Sequence, residues 1–403
     1  MNATLKEKVQ QLIAENYDEI LAIRRDFHMH PELSENEIRT MTKISEYLTE
    51  WGIPNTTEVG GHGVVGVIEG KAEAAGERKY EAVGVRADID ALPIQEAVEW
   101  EFKSVNDGVM HACGHDIHAA MLLGTAKILK TLENEFAGTV KVFFQPAEET
   151  VGGAEFMIKD GCMEGPKVEA MLAFHVAPYL ETGVVEFCRG KMNAATCDVI
   201  IEVEGVSCHG AHPEGGVDAV VVGANIVGAL QSIISRNLSP TNSGIITIGQ
   251  FHAGTKDNIV AGSARMSGTL RALDPDTMKT LKNRVKTTAD NVAAAYGATA
   301  KVTLVDGYPA LINSDYVCGE MEKLAEELIG REKMYYMPEP SLGADDFAFF
   351  TQMCDGLYMN VGTNSGKEEH VQNIHNEYYK PDEECMKTGV LMEVLGALTL
   401  LEK

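Results

Sequence analysis

The strongest constraint on how this chain folds is a change of grammar part-way along it. Before residue 188, apolar runs at 64–68, 82–85, 139–144 and 170–174 are interleaved with helical periodicity at 117–132 and 153–161. That alternation predicts an α/β domain on a largely parallel sheet. Two further helices are expected ahead of it, over 5–27 and 35–51, the second stopping at Gly52. From 189 to 305 the order becomes strand 199–204, helix 217–235, strands 245–251 and 264–272, a helix capped at Asp274-Pro275 and running to Tyr296, and strand 300–305. This β-α-β-β-α-β order is that of a ferredoxin-like unit, a complete small domain. Beyond Gly307 the first grammar resumes, with a helix at 314–329, a helical stretch at 345–353, a strand at 357–361 and a terminal helix over 383–401. The expectation is one α/β domain made from 1–188 and 306–403, with an α+β domain inserted at 189–305.

A chain of 403 residues exceeds what one core supports, which agrees with two domains. Its 60 acidic against 34 basic residues give a net charge of −26, which argues against nucleic acid or an anionic membrane as partner. The amphipathic stretch from Met1 to Arg25 has no apolar run of the signal-peptide kind. The most apolar long window, 217–234, is broken by Asp218, Asn225 and Gln231, so no membrane span is expected. Eight cysteines without framework spacing suit a reducing compartment, and the cytoplasm is the expected address.

The chemistry concentrates in Met110-His111-Ala112-Cys113-Gly114-His115-Asp116-Ile117-His118, immediately ahead of an apolar helix. Cys113 and His115, two apart, can point the same way from an extended or turn backbone, and thiolate with imidazole suits zinc and similar borderline metals. Further donors follow predicted strands, where open α/β sheets place their sites. The strand at 139–144 runs into Gln145-Pro146-Ala147-Glu148-Glu149, and the strand at 170–174 into His175. His375 lies in Asn373-Ile374-His375-Asn376-Glu377. Of two adjacent carboxylates, one can bind metal while its neighbour accepts a proton from water. Each feature alone has a plainer explanation: a solvated acidic loop, or a histidine that only donates a hydrogen bond. Together, Cys113, His115, Glu149, His175 and His375, with Glu148 beside them, are spread over some 260 residues. Structural zinc uses close, paired spacings, so this spread matches a catalytic, binuclear site better.

These motifs resemble the M20 metallopeptidase/amidohydrolase family, in its aminoacylase, hippurate hydrolase and auxin-conjugate hydrolase branch. The resemblance rests on Arg24 to Leu33 (RRDFHMHPEL), Arg86 to Pro93 (RADIDALP), His111 to Asp116 (HACGHD), Gln145 to Glu149 (QPAEE), Gly205 to Pro213, and Gly343 to Ala348 (GADDFA), in order along nearly the whole chain. It implies a mixed-sheet catalytic domain of the zinc-exopeptidase type with an inserted lid and dimerisation domain. It implies two divalent metals on Cys113, His115, Glu149, His175 and His375, zinc or manganese first, cobalt or nickel as alternatives. Glu148 would be the general base acting on a metal-bridged water, and N-acyl amino acids the substrates. The same site would also serve an aminopeptidase or dipeptidase, although the carboxylate needed to hold a free α-amine cannot be assigned. A catalytically silent relative would be expected to have lost Glu148 or a ligand, and all six are present.

Where other branches carry His-x-Asp, this chain has Asp88-Ile89-Asp90. Asp90 reads as a residue that orients a ligand, and Asp88 equally as a strand-end capping carboxylate. His111, Asp116 and His118 read as loop and helix-start residues. In the inserted domain, Cys208-His209-Gly210-Ala211-His212-Pro213 resembles the family turn whose histidine stabilises the oxyanion, often from a partner subunit; His209 matches it, with His212 as a competitor. Asn258 and Arg271 match substrate-contacting positions, Arg271 as a grip on an α-carboxylate or simply as a surface residue. Asp345 stands where most relatives carry Glu.

Overall fold

The computed structural model describes residues 3–74 and 76–402, so the first two positions of the expected amphipathic stretch lie outside the described residues. The chain divides into two compact units. One comprises Met1–Gly190, Ile312–Glu339 and Phe349–Lys403; the other comprises Lys191–Leu311 and Pro340–Ala348. Segment 340–348, which the sequence assigns to the α/β domain, clusters with the second unit.

The first unit opens with helices α1 (Ala3–Met29) and α2 (Ile38–Glu50). It continues through strands β1 (Asn55–Val59), β2 (Gly63–Lys71) and β3 (Ala82–Asp88), helix α3 (His115–Thr131), strand β4 (Ala137–Gln145), helix α4 (Gly153–Lys159), and strands β5 (Ala170–Glu181) and β6 (Val185–Phe187). The second unit follows with β7 (Ala195–Glu204), α5 (Ala219–Asn237), β8 (Gly244–Ala253), β9 (Ser263–Ala272), α6 (Pro275–Ala295) and β10 (Thr299–Asp306). The first unit is completed by α7 (Asp315–Leu328), β11 (Met334–Tyr336), β12 (Asp355–Asn364) and α8 (Cys385–Leu401).

The eight strands of the first unit lie in the order β1-β2-β4-β3-β5-β12-β6-β11. The central run β4-β3-β5-β12 is parallel, while β2 and β6 pair antiparallel with their inner neighbours. Every residue of β3 is buried, as a strand covered on both faces requires. Helix α3 is buried along nearly its full length, hence its apolar character all round. It packs against α8 so closely that a Cβ on Gly389 would lie 2.1 Å from Met121 Sδ, so any larger residue there would have to displace the Met121 side chain. Within that contact Thr125 donates a 2.5 Å hydrogen bond to the fully buried Glu393.

The sheet of the second unit has the order β8-β9-β7-β10 and is antiparallel throughout, the ferredoxin-like arrangement expected from the element order. Helix α6 starts as the sequence indicates, with Asp274 accepting from Thr277 N–H at 2.8 Å and Pro275 in its first turn. Helix α5 is long and apolar enough to cross a membrane by length and composition. It nevertheless buries Val222, Ile226, Leu230 and Ile233 inside the unit while Val220 and Val221 stay exposed.

Two local expectations are corrected. The strand at 170–174 continues to Glu181, because β12 runs on beside it and pairs Val361 with Val176 and Gly362 with Ala177. His175 is therefore mid-strand rather than just past a strand end. The helical stretch expected at 345–353 shortens to the single turn Ala348–Thr351; Asp345 instead accepts from Phe347 N–H at 2.8 Å, a local turn that competes with helix.

Candidate metal centre

Three adjacent parallel strands deliver the site. β3 ends in Asp88 and leads to Asp90, and β4 ends in Gln145, whose Cα pairs with that of Asp88. β3 and β5 pair up to Arg86 with Ala173, so two residues further on each strand brings Asp88 level with His175. The His111–Asp116 segment lies across this edge and becomes α3 at His115. Gly114 caps that helix in a left-handed conformation (φ +84°), and a Cβ there would sit 2.5 Å from Val176 Cγ2. Glycine is thus needed for both backbone and space.

The structure brings the five sequence candidates together within the first unit. Cys113 Sγ lies 3.4 Å from His175 Nε2 and 3.3 Å from His375 Nε2. Glu149 Oε1 is 3.3 Å from His375 Nε2 and 3.9 Å from His115 Nε2. Glu148 shares a donor cluster with His115 and Glu149, all ligand atoms within 4.8 Å of one another. Two buried atoms in this space, His115 Nε2 and Glu149 Oε1, have no hydrogen-bond partner. Buried polar atoms without a hydrogen bond are costly, and their convergence with a thiol and two further imidazoles fits divalent metal of the zinc class.

The ring orientations come from a surrounding layer of hydrogen bonds. His115 Nδ1 donates to Asp90 Oδ1 at 3.1 Å, turning Nε2 into the site. Asp90 is fully committed, its Oδ2 accepting from Ser34 Oγ at 2.7 Å and from Glu149 N–H at 3.0 Å. It therefore ties a ring and a carboxylate to one anchor. His175 Nδ1 donates to the carbonyl of Val176 at 2.8 Å. Burial, reinforced by the neighbouring His118, pushes the His175 imidazolium down to about 3, which keeps the ring neutral and able to coordinate. Burial also raises the Cys113 thiol well above its usual range, so a bound cation would be needed to hold it as thiolate.

Sequence reasoning left Asp88 and His118 aside, and the structure gives both a place. Asp88 is completely buried; it accepts from Arg86 at 2.6 Å and from His118 Nδ1 at 2.6 Å. Burial opposes its charge, yet Arg86, His115 and His118 outweigh that and hold the carboxyl well below the usual carboxylate range. His118 Nε2 then accepts from Val176 N–H at 3.0 Å, so both its nitrogens are used and it braces the His175 strand. The signal was available in Arg86-x-Asp88, two residues apart on one strand face. A second feature carried no sequence signal. Ala147 (φ +53°) and His375 (φ +60°) are both in the left-handed region, next to Glu148 and at a donor respectively. Their backbone amides are held by Glu37 Oε1 and by the carbonyl of Ala112, each at 2.8 Å. Such strain persists only where surrounding contacts impose it, and it gathers at functional sites.

In the second unit His209 is exposed on a turn, and its Nδ1 accepts from Ala211 N–H at 3.1 Å. That bond uses Nδ1 as an acceptor and leaves Nε2 as the ring's donor. Asn258 adjoins this turn, its carbonyl accepting from Gly210 N–H at 2.8 Å beside the paired residues Ile259 and His209. Arg271 is not brought to them: it lies eight residues along β9 from Ser263, roughly 27 Å at strand rise. His212 is exposed and its carbonyl accepts from the Cys208 thiol at 3.3 Å.

A mixed α/β sheet gathering thiol, imidazole and carboxylate donors at one edge is the signature of a metal-using hydrolase. The chain belongs to peptidase family M20/M25/M40, whose model matches residues 84–395. It is 35% identical to thermostable carboxypeptidase 2 of Saccharolobus solfataricus, over 99% of this chain and 100% of that protein. It is 33% identical to the N-acetyl-L-cysteine deacetylase of Bacillus subtilis, over 91% of this chain and 86% of that one. Its fold matches a crystal structure of a dinuclear metal-binding M20 peptidase from Bacillus subtilis with a TM-score of 0.83 and 29% identity, covering 97% of this chain and 99% of that one.

Proposed function

We propose that this enzyme is a binuclear metal-dependent amidohydrolase that removes the acyl group from N-acyl amino acids. The observation that carries the reading is the convergence of Cys113, His115, Glu149, His175 and His375 beside Glu148, with His115 Nε2 and Glu149 Oε1 buried and without a hydrogen bond. Two divalent cations on those donors would supply Lewis acidity and a lowered pKa for water. Glu148 takes a proton from the attacking water and returns it to the leaving amine. Asp90 keeps His115 and Glu149 in place, and Asp88 with His118 keeps the His175 strand in place. His209, whose Nε2 remains as a donor, would donate to the oxyanion that forms on the scissile carbonyl. Asn258, which adjoins His209, would hold the amino-acid portion, and Arg271 has no part in the same grip.

A deacetylase and a carboxypeptidase among the relatives agree with this reading, since both names describe cleavage of an amide that leaves a free amino acid or C-terminal residue. The second unit is proposed to dimerise: edge strand β8 is largely exposed, and Val220, Val221 and Phe251 leave an apolar surface uncovered. A fully active monomer by light scattering would remove that element. The decisive experiment is a hydrolysis screen of N-acetyl and N-benzoyl amino acids and of dipeptides on metal-loaded protein. Acyl substrates should be cleaved best, activity should vanish with chelator, and zinc, manganese or cobalt should restore it to different extents. Activity indifferent to chelator, or confined to substrates with a free α-amine, would refute the proposal.

A further inference from the structure

Glu186 has no place in the chemistry above, yet its position connects it to the site. Across the sheet, His175 of β5 is paired with Asn360 of β12, and Asn360 in turn with Glu186 of β6. Glu186 is then paired with Tyr335 of β11. Side chains in register project from the same face, so Asn360, Glu186 and Tyr335 form a row continuing from His175. Tyr358 precedes Asn360 by two residues and lies on the same face, its ring stacked 6.3 Å from that of His175.

Glu186 is 2% exposed, and among the described residues no lysine, arginine or histidine forms an ion pair with it. Its Oε2 accepts from Asn360 Nδ2 at 2.6 Å and from the hydroxyl of Tyr179 at 2.6 Å. A buried carboxylate normally has a cationic partner. The groups above this one are instead two tyrosines, 59% exposed at Tyr179 and 43% at Tyr335. A phenol that donates to a carboxylate has an electron-richer ring, and exposed tyrosine rings beside a buried carboxylate offer a cation both a ring face and a counter-charge.

We propose that Glu186, Asn360, Tyr179 and Tyr335 form a cation-recognition subsite, selecting substrates whose released amino acid is long-chained and basic. The inference rests on the proposed amidohydrolase reading and names its substrate class. Distance decides which cation is held. Glu186 lies two strand spacings, roughly 10 Å, from His175. An α-ammonium is only two bonds from the scissile carbonyl carbon and cannot reach it. The head group of lysine or arginine, carried on a flexible stem, can.

The test compares Nα-acetyl-L-lysine with Nα-acetyl-L-norleucine, which has the same stem without the ammonium. Hydrolysis is measured on the metal-loaded full chain, and binding by calorimetry on the Glu148→Gln protein so that ligand is not consumed. The lysine compound should be favoured by about tenfold or more, and less so as salt is raised. The ratio should fall toward one in Glu186→Gln and shrink in Tyr335→Leu, an exposed edge position that keeps the inference testable if the buried variant does not fold. Equal binding of the two compounds overturns the inference whether or not either is hydrolysed, and so does a lysine preference that survives both substitutions. A lysine preference in binding with no hydrolysis of any acyl substrate would instead sink the amidohydrolase reading and leave this one standing.

Discussion

Two stretches of this chain look alike in composition and behave differently in the fold. Cys113 to His118 and Cys208 to His212 each carry a cysteine and two histidines within six residues. In the first, Cys113, His115 and His118 are buried, and the nitrogens of both rings are assigned by Asp90, Asp88 and Val176 except for the one directed at the donor cluster. In the second, His209 and His212 are exposed and their side-chain contacts, to Ala211 and Glu214, are local to the turn. The difference shows that donor-rich sequence becomes a metal centre only where strands supply a second layer of hydrogen bonds. Without that layer a histidine keeps an available N–H, which suits it to stabilise charge on a substrate instead.

The comparison can be broken or sharpened by substitution. The largest effect is expected from Glu148→Gln, which should lower kcat by about 10³- to 10⁴-fold while metal content stays at the wild-type level. Near-normal turnover would remove the base from the first stretch. Next, His209→Ala should cost roughly 10²- to 10³-fold in kcat, and His212→Ala far less, since His209 Nδ1 is fixed by the Ala211 N–H whereas His212 Nδ1 faces the exposed Glu214 carboxylate at 3.7 Å. Equal losses would show that the turn does not discriminate between its two rings. Asp90→Asn should weaken metal affinity about 10- to 100-fold in a chelator competition, because it releases both His115 and Glu149; unchanged affinity would mean that the second layer is dispensable.

The smallest effect on activity concerns Glu393, far from either stretch in chemistry but on the helix packed against α3. Burial raises its carboxyl from 4.5 to about 8. The folded state therefore retains a proton that the unfolded chain releases near 4.5, so this contribution to stability is full below that pH and declines as pH climbs toward 8. Glu393→Gln should flatten that slope, a gain of about 1–3 kcal/mol at pH 8 measured by denaturant titration at several pH values. A pH-independent difference from wild type would contradict the assignment.

Much of this was legible in the sequence because periodicity and motif spacing are local signals. The ferredoxin-like unit emerged from element order alone, and the Asp274-Pro275 cap from two adjacent residues. What escaped depends on contacts between distant segments. The extension of β5 past His175 follows from how far β12 continues beside it, some 185 residues later in the chain. The bracing of His175 by His118 and Asp88 joins three segments, and each residue taken singly has a plainer explanation. The helix expected at 345–353 failed because a side chain, Asp345, captured a backbone amide that helix periodicity cannot register.

The left-handed backbone at Ala147 has a consequence for engineering. Glycine would adopt that conformation at lower cost, and stability screens would be expected to favour Ala147→Gly by about 1 kcal/mol. The same change would widen the range of positions open to the adjoining carboxylates. A variant selected for heat tolerance at this position would thus be traded against turnover, and robustness and catalytic speed would have to be optimised separately.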